Sequence, residues 1–434
     1  MADAFNWPFL NESQNLFELV NIPVGPLKDL KCPIFRIDHH YAHALSSWML
    51  TDTTNHVVLD GFGDAEKSVS FFSENKNIKS FEREQIKSFG NFMEMMGKNF
   101  NLQGHSEDLA GKMMALQSFG IEDSKWWEKI KNKPYEENSF VFDLRNYAKM
   151  YGSDTIAKLN LLNYLKTTHK YVELKIPEFF DKYLNTEDTI SYSGGVAHNI
   201  CVNTKLKQKY KNLIIPPHCA DEGLSLGCVE FLRQHYQQPK FSIKNFPFWQ
   251  NDVAPKNKAS DKTIKQTAED LANGKIIGWY QGHGEIGPRA LGNRSILMSP
   301  EIKNGKSILN EKVKHREDFR PFAASIKEDK TSNYFNWIGK SEFMKFSVSF
   351  RDKIFEPISH IDNTSRIQTV DKNHTLFYQL LDEFEKLTGL PMLLNTSLND
   401  NGKPIAGEPA DAISLLKNSY LDKLIIGNTI AKHE

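Results

Sequence analysis

The segment DHHYAHA at residues 38–44 restricts the possible folds more than any other part of the chain. A short apolar run at residues 33–37 precedes it and predicts a strand. Asp38 is a suitable N-cap for a helix that runs from His39 to about Leu50. The fold must therefore accommodate a strand, a tight turn and a helix start within a few residues.

Two histidines of this predicted helix, His39 and His43, are four residues apart and share one face, so both imidazoles can reach one metal ion. A zinc-peptidase helix needs glutamate after the first histidine, and His40 stands there instead, which disfavours a protease. Asp60 ends a strand before a glycine turn, and Asp221 opens another turn. Two imidazoles and two carboxylates suit Fe(II), Mn(II) or Zn(II). Ordinary turn chemistry is the alternative for each aspartate, because spacing alone cannot bring the four together.

Length and composition predict a two-domain protein. The 434 residues exceed one ordinary core, and residues 234–262, rich in Gln, Pro, Asn and Lys, predict a linker. We expect domains at 1–240 and 241–434.

The 54 basic and 54 acidic residues cancel, so the net charge neither requires nor excludes a nucleic-acid partner. Four cysteines without a CxxC pair, and no leader peptide or membrane segment in the sequence, predict a cytoplasmic protein.

Hydrophobic patterning predicts an alternating α/β chain. Strands are expected at 55–59, 67–73, 189–192, 212–215 and 275–280. Residues 83–180 are mostly helical in pattern, with an amphipathic stretch at 160–175, and further helices are expected from about 197 and at 263–273.

Two glycine turns in the first half are candidates for nucleotide contacts. Gly194 and Gly195 follow a strand and precede a helix near Asn199, so their backbone can approach a phosphate at a helix N-terminus. Lys112 follows Gly111 at a similar turn, where it can meet a phosphate or simply lie in solvent. Glycine turns alone are weak signals, and an ordinary tight turn is the alternative.

The second half carries a more specific pattern, in which cations lie in Gly- and Pro-containing turns among apolar residues. We call residues 282–294 the arginine loop. Guanidinium groups bind phosphate oxygens bidentately, which favours a phosphate-binding function over a solvated basic face. The candidate phosphate-binding cations of this loop and of residues 312–321 are Arg289, Arg294, Lys314, Arg316 and Arg320. Asn395, Ser397 and Asn399 follow an apolar strand and can bind a ribose or a carbamoyl group.

In this order of motifs the chain resembles the NodU/CmcH family of O-carbamoyltransferases, which includes tobramycin and cephem carbamoyltransferases. The matching segments run from about residue 33 to the C-terminus. They are DHHYAHA, LDGFGD, AGKMMALQSFG, YSGGVAHN, HCADEGLSLG, QGHGEIGPRALGNRSIL, NEKVKHREDFRPFAASI, DNTSRIQTV and LLNTSLNDNGKPI.

The resemblance implies an α/β fold with an actin/Hsp70-like, threonylcarbamoyl-transfer-type N-terminal domain and a YrdC-like C-terminal domain. It implies ATP-dependent transfer of the carbamoyl group of carbamoyl phosphate, through carbamoyl-adenylate, to a substrate hydroxyl. ATP and carbamoyl phosphate would be co-substrates. The metal would be Fe(II), with Mn or Zn as alternatives, and Mg could accompany ATP.

The resemblance also assigns roles to individual residues. It implies His39, His43, Asp60 and Asp221 as metal ligands. The residues implied to contact nucleotide or carbamoyl phosphate are Lys112, Gly194, Gly195, Asn199, Arg294, Lys314, Arg316, Arg366, Asn395, Ser397 and Asn399. His40, Arg289 and Arg320 are the candidate catalytic residues, with His40 as acceptor of the substrate proton because an unperturbed histidine titrates near neutrality.

The chain departs from the family pattern in ways that bear on the acceptor. Only 38 residues precede His39, so we expect an abbreviated first lobe, and His283-Gly284 replaces a usual Arg-Met. The acceptor can be a small hydroxylated metabolite or nucleoside, or a 5-hydroxymethyl-pyrimidine such as hydroxymethylcytosine in DNA. A non-catalytic actin-like ATP-binding module is the alternative of another class. A homodimer is compatible with the sequence, and no membrane partner is expected.

Overall fold

A computed structural model describes residues 16–20, 30–48, 50, 51, 53, 55–73, 76–152 and 160–433. The chain divides into two compact units, residues 1–242 and 243–434. The first fifteen residues, on which the expected lack of a leader peptide depends, lie outside the described residues.

The N-terminal unit is a mixed α/β unit. Its strands are β1 (Phe17–Leu19), β2 (Phe35–Ile37), β3 (Asn55–Leu59), β4 (Lys67–Ser73), β5 (Lys76–Glu82), β6 (Ile190–Ser193) and β7 (Leu213–Ile214). Its helices are α1 (His39–Trp48), α2 (Phe89–Asn99), α3 (Ser106–Leu116), α4 (Ser124–Ile130), α5 (Asn138–Phe142), α6 (Leu144–Met150), α7 (Leu161–Phe180), α8 (Ile200–Lys209) and α9 (Leu224–His235).

The main sheet of this unit has the strand order β5-β4-β3-β6-β7. The strands β5, β4 and β3 are antiparallel neighbours, whereas β6 and β7 run parallel to β3. Val58 of β3 pairs with Ser193 of β6, so both strands end at the same edge of the sheet. The turns that follow them, at Asp60 and at Gly194, are therefore neighbours.

Helix α1 is fixed by a buried ion pair at its start. The Asp38 side chain accepts a hydrogen bond from the Tyr41 amide at 2.9 Å, as an N-cap does, and its other oxygen accepts from Lys67 Nζ at 2.8 Å. Both charged side chains are buried. Because removing one partner would leave an uncompensated buried charge, this pair fixes the position at which α1 begins.

Helix α1 is also held along its length by close packing on α9. A Cβ atom at Gly227 would lie 1.9 Å from the Ala42 carbonyl oxygen, so only glycine allows the two backbones to approach this closely. Tyr41 and Leu45 pack with Phe231 of α9 in one buried apolar cluster. The helix that carries His39 and His43 is thus fixed at its start and along its side.

The C-terminal unit is also mixed α/β. Its strands are β8 (Ile277–Tyr280), β9 (Arg294–Met298), β10 (Ala323–Lys327), β11 (Ser347–Ser349), β12 (Thr364–Val370), β13 (Met392–Ser397), β14 (Lys423–Ile426) and β15 (Thr429–Ala431). Its helices are α10 (Asp261–Ala272), α11 (Gly305–Lys312), α12 (Thr331–Tyr334), α13 (Thr375–Thr388) and α14 (Pro409–Asn418). The strands form one sheet in the order β11-β12-β10-β13-β9-β8-β14-β15.

The predicted α/β class is confirmed for both units. The predicted strands at 55–59 and 67–73 coincide with β3 and β4, and the amphipathic stretch at 160–175 lies in α7, which begins at Leu161 and continues to Phe180. The segment 76–82 was not predicted as a strand, because its polar residues leave β5 mostly exposed and without clear alternation. Residues 236–260, within the predicted linker, form turns and loops between α9 and α10. No helix within the described part of the chain is both long and apolar enough to cross a membrane.

Burial of His374 predicts a loss of stability in acid. Its ring packs against Phe248 and Phe377, and neither ring nitrogen has a hydrogen-bond partner among the described residues, so burial lowers its pKa to about 4. Above pH 6.5 the ring is neutral in both the folded and unfolded states. As the pH falls from 6.5 to 4, the unfolded state takes up a proton that the folded state does not, which costs about 2 kcal/mol at pH 5.

We therefore expect His374→Phe to reduce the loss of unfolding free energy between pH 7.5 and pH 5, as measured by urea denaturation at both pH values. His105→Gln, at an exposed histidine, is the control and should retain the wild-type loss. An unchanged acid dependence in His374→Phe would contradict this account.

Candidate functional site

Four side chains of the N-terminal unit converge at the end of the sheet where β3 terminates. His39 Nε2 lies 2.9 Å from Asp60 Oδ2, 3.4 Å from Asp221 Oδ1 and 3.2 Å from His43 Nε2. His43 Nε2 lies 3.6 Å from Asp60 and 3.3 Å from Asp221. The structure thus brings together the four predicted metal ligands, which the sequence places on α1, after β3 and before α9.

These distances fit a tetrahedral metal centre. Bonds of about 2.0–2.1 Å to nitrogen and oxygen place the ligand atoms of a tetrahedron about 3.3 Å apart, and the five distances scatter around that value. The Nε2 atoms of His39 and His43 lie 3.2 Å apart, close enough for both to bind one cation. The donor set fits a borderline divalent ion rather than Mg(II).

The electrostatics of the cluster also suit a divalent cation. Burial alone would lower the pKa of His39, but its hydrogen bonds with Asp221 and Asp60 outweigh this and raise the pKa to about 10. Burial would also lower the pKa of His43, but its hydrogen bonds with Asp221 and Asp60 again outweigh this effect and raise the pKa. The pKa values of Asp60 and Asp221 are lowered, because both histidines hydrogen-bond to their carboxylates. A cation could replace two protons here with no change in net charge, which keeps the buried site neutral.

The glycine turn after β6 orients Asp60. The Gly195 amide donates to Asp60 Oδ1 at 2.8 Å, while Oδ2 faces the histidines. Gly194 has φ of +91°, and a Cβ there would lie 2.1 Å from the Leu59 carbonyl oxygen. Glycine is therefore required at this position, and Gly195 uses its N–H to fix a carboxylate. The nucleotide contact of Gly194 and Gly195 stays a prediction.

His40, predicted to accept the substrate proton, is fully buried. Its Nδ1 is hydrogen-bonded with Ser70 Oγ at 2.7 Å, and its other edge lies against Gly63, whose Cβ would approach to 2.6 Å. Burial lowers its pKa well below the usual range. An acceptor hydroxyl could reach His40 only after local rearrangement.

Lys112 and Asn199 make local contacts in the structure. Lys112 Nζ donates to the Gln103 carbonyl at 2.6 Å and pairs with Asp108 at 3.1 Å. Asn199 caps α8 through its side-chain oxygen, and its amide donates to His169 Nε2 at 2.9 Å. Both side chains are buried. Their predicted nucleotide contacts would compete with these bonds.

In the C-terminal unit, Arg294 organises the arginine loop. Its guanidinium donates to the carbonyls of Gln281, Gly282, Asn293 and Ala406 and to the Asp252 carboxylate, and it lies over the Tyr280 ring. Every guanidinium N–H group that a phosphate could use is thereby directed to a protein acceptor in this conformation. These contacts give Arg294 a loop-organising role, and the phosphate contact predicted for it would compete with them.

Two buried acids that sequence reasoning missed shape the same loop. Glu285 Oε1 accepts from the amides of Leu291, Asn293 and Arg294. Burial raises the pKa of Glu285, although these amides act in the opposite direction. Asp252 accepts from the Gly284 amide as well as from Arg294. The sequence signal for this role was a glutamate within a Gly/Pro-rich loop, because a carboxylate there can accept hydrogen bonds from several successive loop amides.

Lys314, Ser397 and Asn399 form one cluster. Lys314 Nζ donates to the carbonyl oxygens of Ser397 and Asn399, at 2.9 and 2.6 Å, and to Asn399 Oδ1 at 2.6 Å. Burial lowers the pKa of Lys314 well below its usual range, and the charges of Arg316 and Arg320 lower it further. The structure thus brings together residues predicted from two distant motifs.

Asn395 and Arg366 flank the first residue of β10. Both pair with Ala323, from opposite neighbouring strands. The buried Asn395 amide donates to Ser325 Oγ at 2.9 Å and to the Ala290 carbonyl, so it joins the arginine loop to the sheet. The partly exposed Arg289, Arg316 and Arg320 complete the predicted set, and Arg316 lies over Phe322.

Comparison with protein families gives two matches that together cover most of the chain. Residues 13–229 match the family model described as Carbamoyltransferase N-terminus, and residues 268–433 match Carbamoyltransferase C-terminus. Nodulation protein NolNO of Sinorhizobium fredii is 34% identical over 274 residues, which are 56% of this chain and 39% of that protein. Nodulation protein NolO of Bradyrhizobium diazoefficiens is 35% identical over 261 residues, 54% of this chain and 47% of that protein.

The chain thus spans less than half the length of these curated relatives. An uncharacterised protein of Methanocaldococcus jannaschii is 27% identical over 429 residues, 90% of this chain and 81% of that protein. Among solved structures, component A of Acidaminococcus fermentans (R)-2-hydroxyglutaryl-CoA dehydratase is 12% identical, with a TM-score of 0.31, over 46% of this chain and 68% of that chain. A TM-score this low does not establish a shared fold.

We expect Gly194→Ala to lower the free energy of unfolding by at least about 2 kcal/mol, because the methyl group would strike the Leu59 carbonyl and a positive φ is strained for alanine. Gly111→Ala in α3 is the matched control, since its Cβ would meet nothing within 4 Å. It should be neutral or stabilise the protein by up to about 1 kcal/mol. Equal unfolding midpoints for the two variants in urea would contradict the close approach.

Proposed function

The chain belongs to the carbamoyltransferase family, and we propose that it transfers the carbamoyl group of carbamoyl phosphate to an acceptor hydroxyl in an ATP-dependent reaction. The observation that carries this proposal is the His39–His43–Asp60–Asp221 cluster, whose four donor atoms could hold a metal ion at a sheet edge beside the Gly194 turn. The clustered cations and amides of the C-terminal unit support a phosphate-handling function there.

We further propose the domain relationships that the family resemblance implies. The N-terminal unit would be actin/Hsp70-like, which its β5-β4-β3-β6-β7 order supports, because three antiparallel strands extended by two parallel ones are typical of that fold. The C-terminal unit would be YrdC-like, and its single mixed sheet is compatible with that assignment.

The proposed chemistry has two stages. Carbamoyl phosphate and water give carbamate and phosphate, and the carbamate oxygen attacks the α-phosphorus of ATP to form carbamoyl-adenylate and release pyrophosphate. The acceptor hydroxyl then attacks the carbamoyl carbon, the bond to the AMP oxygen breaks, and the hydroxyl proton passes to solvent or a base. The products are the O-carbamoyl acceptor and AMP.

In the activation stage, we assign phosphate contacts to the partly exposed cations Arg289, Arg316, Arg320 and Arg366. Lys314 would position the Ser397–Asn399 turn through the hydrogen bonds that its Nζ donates to both carbonyl oxygens. Glu285 and Asp252 would keep the arginine loop in place, so that the phosphate-binding groups need little reorganisation when the substrates bind.

In the transfer stage, the four-ligand cluster would hold Fe(II), with Mn(II) or Zn(II) as alternatives. Bound there, the ion would act as a Lewis acid that stabilises charge on the departing phosphate. Asp60 would keep its ligand oxygen directed at the histidines because Gly195 holds the other oxygen. His40, bonded to Ser70, would pack behind the ligands and serve as proton acceptor only if α1 shifts.

The decisive experiment incubates the protein with ATP, carbamoyl phosphate and single hydroxyl acceptors, and it uses mass spectrometry to detect an added carbamoyl group. The panel contains a sugar, an aminoglycoside, a free nucleoside and hydroxymethylcytosine DNA, so it also separates small from polymeric acceptors. Pyrophosphate is measured in parallel. Absence of pyrophosphate with every acceptor would reject the adenylate route and favour a non-catalytic ATP-binding module.

We expect Asp221→Asn to lower metal affinity at least about 10-fold and to slow carbamoyl transfer correspondingly, because an amide is a weaker ligand than a carboxylate. The Asp221 side chain is 60% exposed, so the fold should tolerate the change. Bound metal is measured after equilibrium dialysis. Glu178→Gln, at an exposed carboxylate of α7, is the control and should bind metal like the wild type.

We expect Lys314→Met to reduce pyrophosphate release about 100-fold, because the variant loses the Nζ hydrogen bonds that hold the Ser397–Asn399 turn. Lys312→Met, at an exposed neighbour, should retain nearly full release. Thermal unfolding of both variants separates loss of activity from loss of folding. A folded Lys314→Met protein with wild-type pyrophosphate release would exclude this role.

A further inference from the structure

A second group of metal-binding side chains lies in the loops that carry Gly195 and Asp221. His198 Nε2 is 3.3 Å from Glu222 Oε1. Cys219 Sγ is 3.6 Å from His198 Nδ1 and 3.9 Å from Nε2. One donor atom from each of these three residues lies within 4.8 Å of the others. None of the three is a ligand of the first cluster.

The backbone brings these residues together for reasons independent of any ligand. His198 ends the 3-10 turn Gly195–His198, and Glu222 lies in the 3-10 turn Asp221–Gly223. The Gly194 amide donates to the Cys219 carbonyl at 2.7 Å, which ties the two loops to each other. The same pair of loops therefore presents one carboxylate, Asp221, to the first cluster and a thiol, an imidazole and a second carboxylate to this one.

We propose that His198, Cys219 and Glu222 form a second divalent-cation site that selects a thiophilic ion such as Zn²⁺. Zinc bonds of about 2.3 Å to sulfur and 2.0–2.1 Å to nitrogen or oxygen separate tetrahedral ligand atoms by about 3.3–3.6 Å. The His198–Glu222 distance matches this range, and the Cys219 sulfur lies 3.9 Å from the same Nε2 atom, a few tenths of an ångström beyond it. Binding replaces the thiol proton, which passes to the buffer.

The burial of the three residues favours a metal site over a nucleophile. A Cys-His-Glu arrangement also resembles a catalytic triad, but Cys219 has no exposed surface and cannot meet a substrate. The Glu222 and His198 side chains are 28% and 19% exposed, so an ion could enter from their side. Three protein ligands with one side open to water are the pattern of a zinc site that keeps an exchangeable position.

The consequence for the molecule is a cross-link between two loops. An ion held by His198 and Cys219 would fasten the segment after β6 to the segment that precedes α9. Because Asp221 lies between Cys219 and Glu222, the ion would also restrict the carboxylate that faces the first cluster. The two clusters differ in donor type, since sulfur occurs only in the second.

Cobalt(II) is the probe that uses this difference, because a thiolate ligand produces a near-ultraviolet charge-transfer band and nitrogen or oxygen ligands do not. We expect the full-length reduced protein, titrated with Co²⁺ without oxygen, to develop this band. Cys219→Ser should abolish the band, whereas Cys201→Ser and Cys228→Ser should retain it. Asp60→Asn removes a carboxylate ligand of the first cluster but keeps a side-chain oxygen that can accept from the Gly195 amide, so this variant should retain the band and bind one fewer equivalent of Co²⁺.

Glu222→Gln guards against misfolding of the buried Cys219 variant, because Glu222 is exposed. The band should persist in this variant but require at least about 10-fold more Co²⁺. No band in the wild type, a band that survives in Cys219→Ser, or an unchanged titration of Glu222→Gln would each overturn the second site. A wild-type protein that shows the band but binds only one equivalent would instead contradict the first cluster, so the two failures are distinguishable.

Discussion

The Asp60 carboxylate is the interaction on which the N-terminal unit depends. One oxygen faces His39 and His43 of α1, and the other accepts from the Gly195 amide after β6. Burial would raise the pKa of Asp60, but its bonds with the two histidines lower it well below the usual range. A single ionised group therefore joins a helix, a strand end and a glycine turn. Its position requires Gly194, because any side chain there would strike the backbone of Leu59.

In the C-terminal unit a buried cation, rather than a buried carboxylate, joins separate loop segments. Here a buried cation, Arg294, donates to loop carbonyls, while Glu285 accepts from loop amides. Backbone groups that a loop leaves without a ladder partner are thus satisfied by side chains, which makes the arginine loop a defined structure. Lys314 does the same for the Ser397–Asn399 turn. An arginine or lysine in a phosphate-binding motif can therefore hold the loop in shape rather than bind phosphate. The sequence does not distinguish these two roles, whereas the hydrogen-bond partners of the side chain do.

Sequence patterns predicted local structure best where alternation or helical periodicity was strong, as in β3, β4 and α7. They also identified Asp38 as the helix cap, because a carboxylate before a helix has a recognisable local role. They could not predict that Asp38 and Lys67 form a buried pair, since the partners are 29 residues apart and a lysine normally indicates solvent. The convergence of His39, His43, Asp60 and Asp221 was inferred from family resemblance, because spacing carries no information about contacts between distant segments. Sequence reasoning missed the loop-building roles of Arg294, Glu285 and Asp252 for the same reason.

The loop from Cys219 to Glu222 contributes side chains to both clusters, and the donor atoms of each cluster determine which metal ion it prefers. Two carboxylates and two imidazoles form a comparatively hard set, whereas one thiolate with an imidazole and a single carboxylate is softer. Raw affinity for N/O ligands would let zinc displace iron or manganese from the first cluster, because zinc stands higher in the affinity series. A neighbouring thiolate site offers zinc a better-matched set of ligands. If both clusters bind metal, the second would fill with zinc first while zinc is limiting, so one short loop could help to hold two different ions side by side.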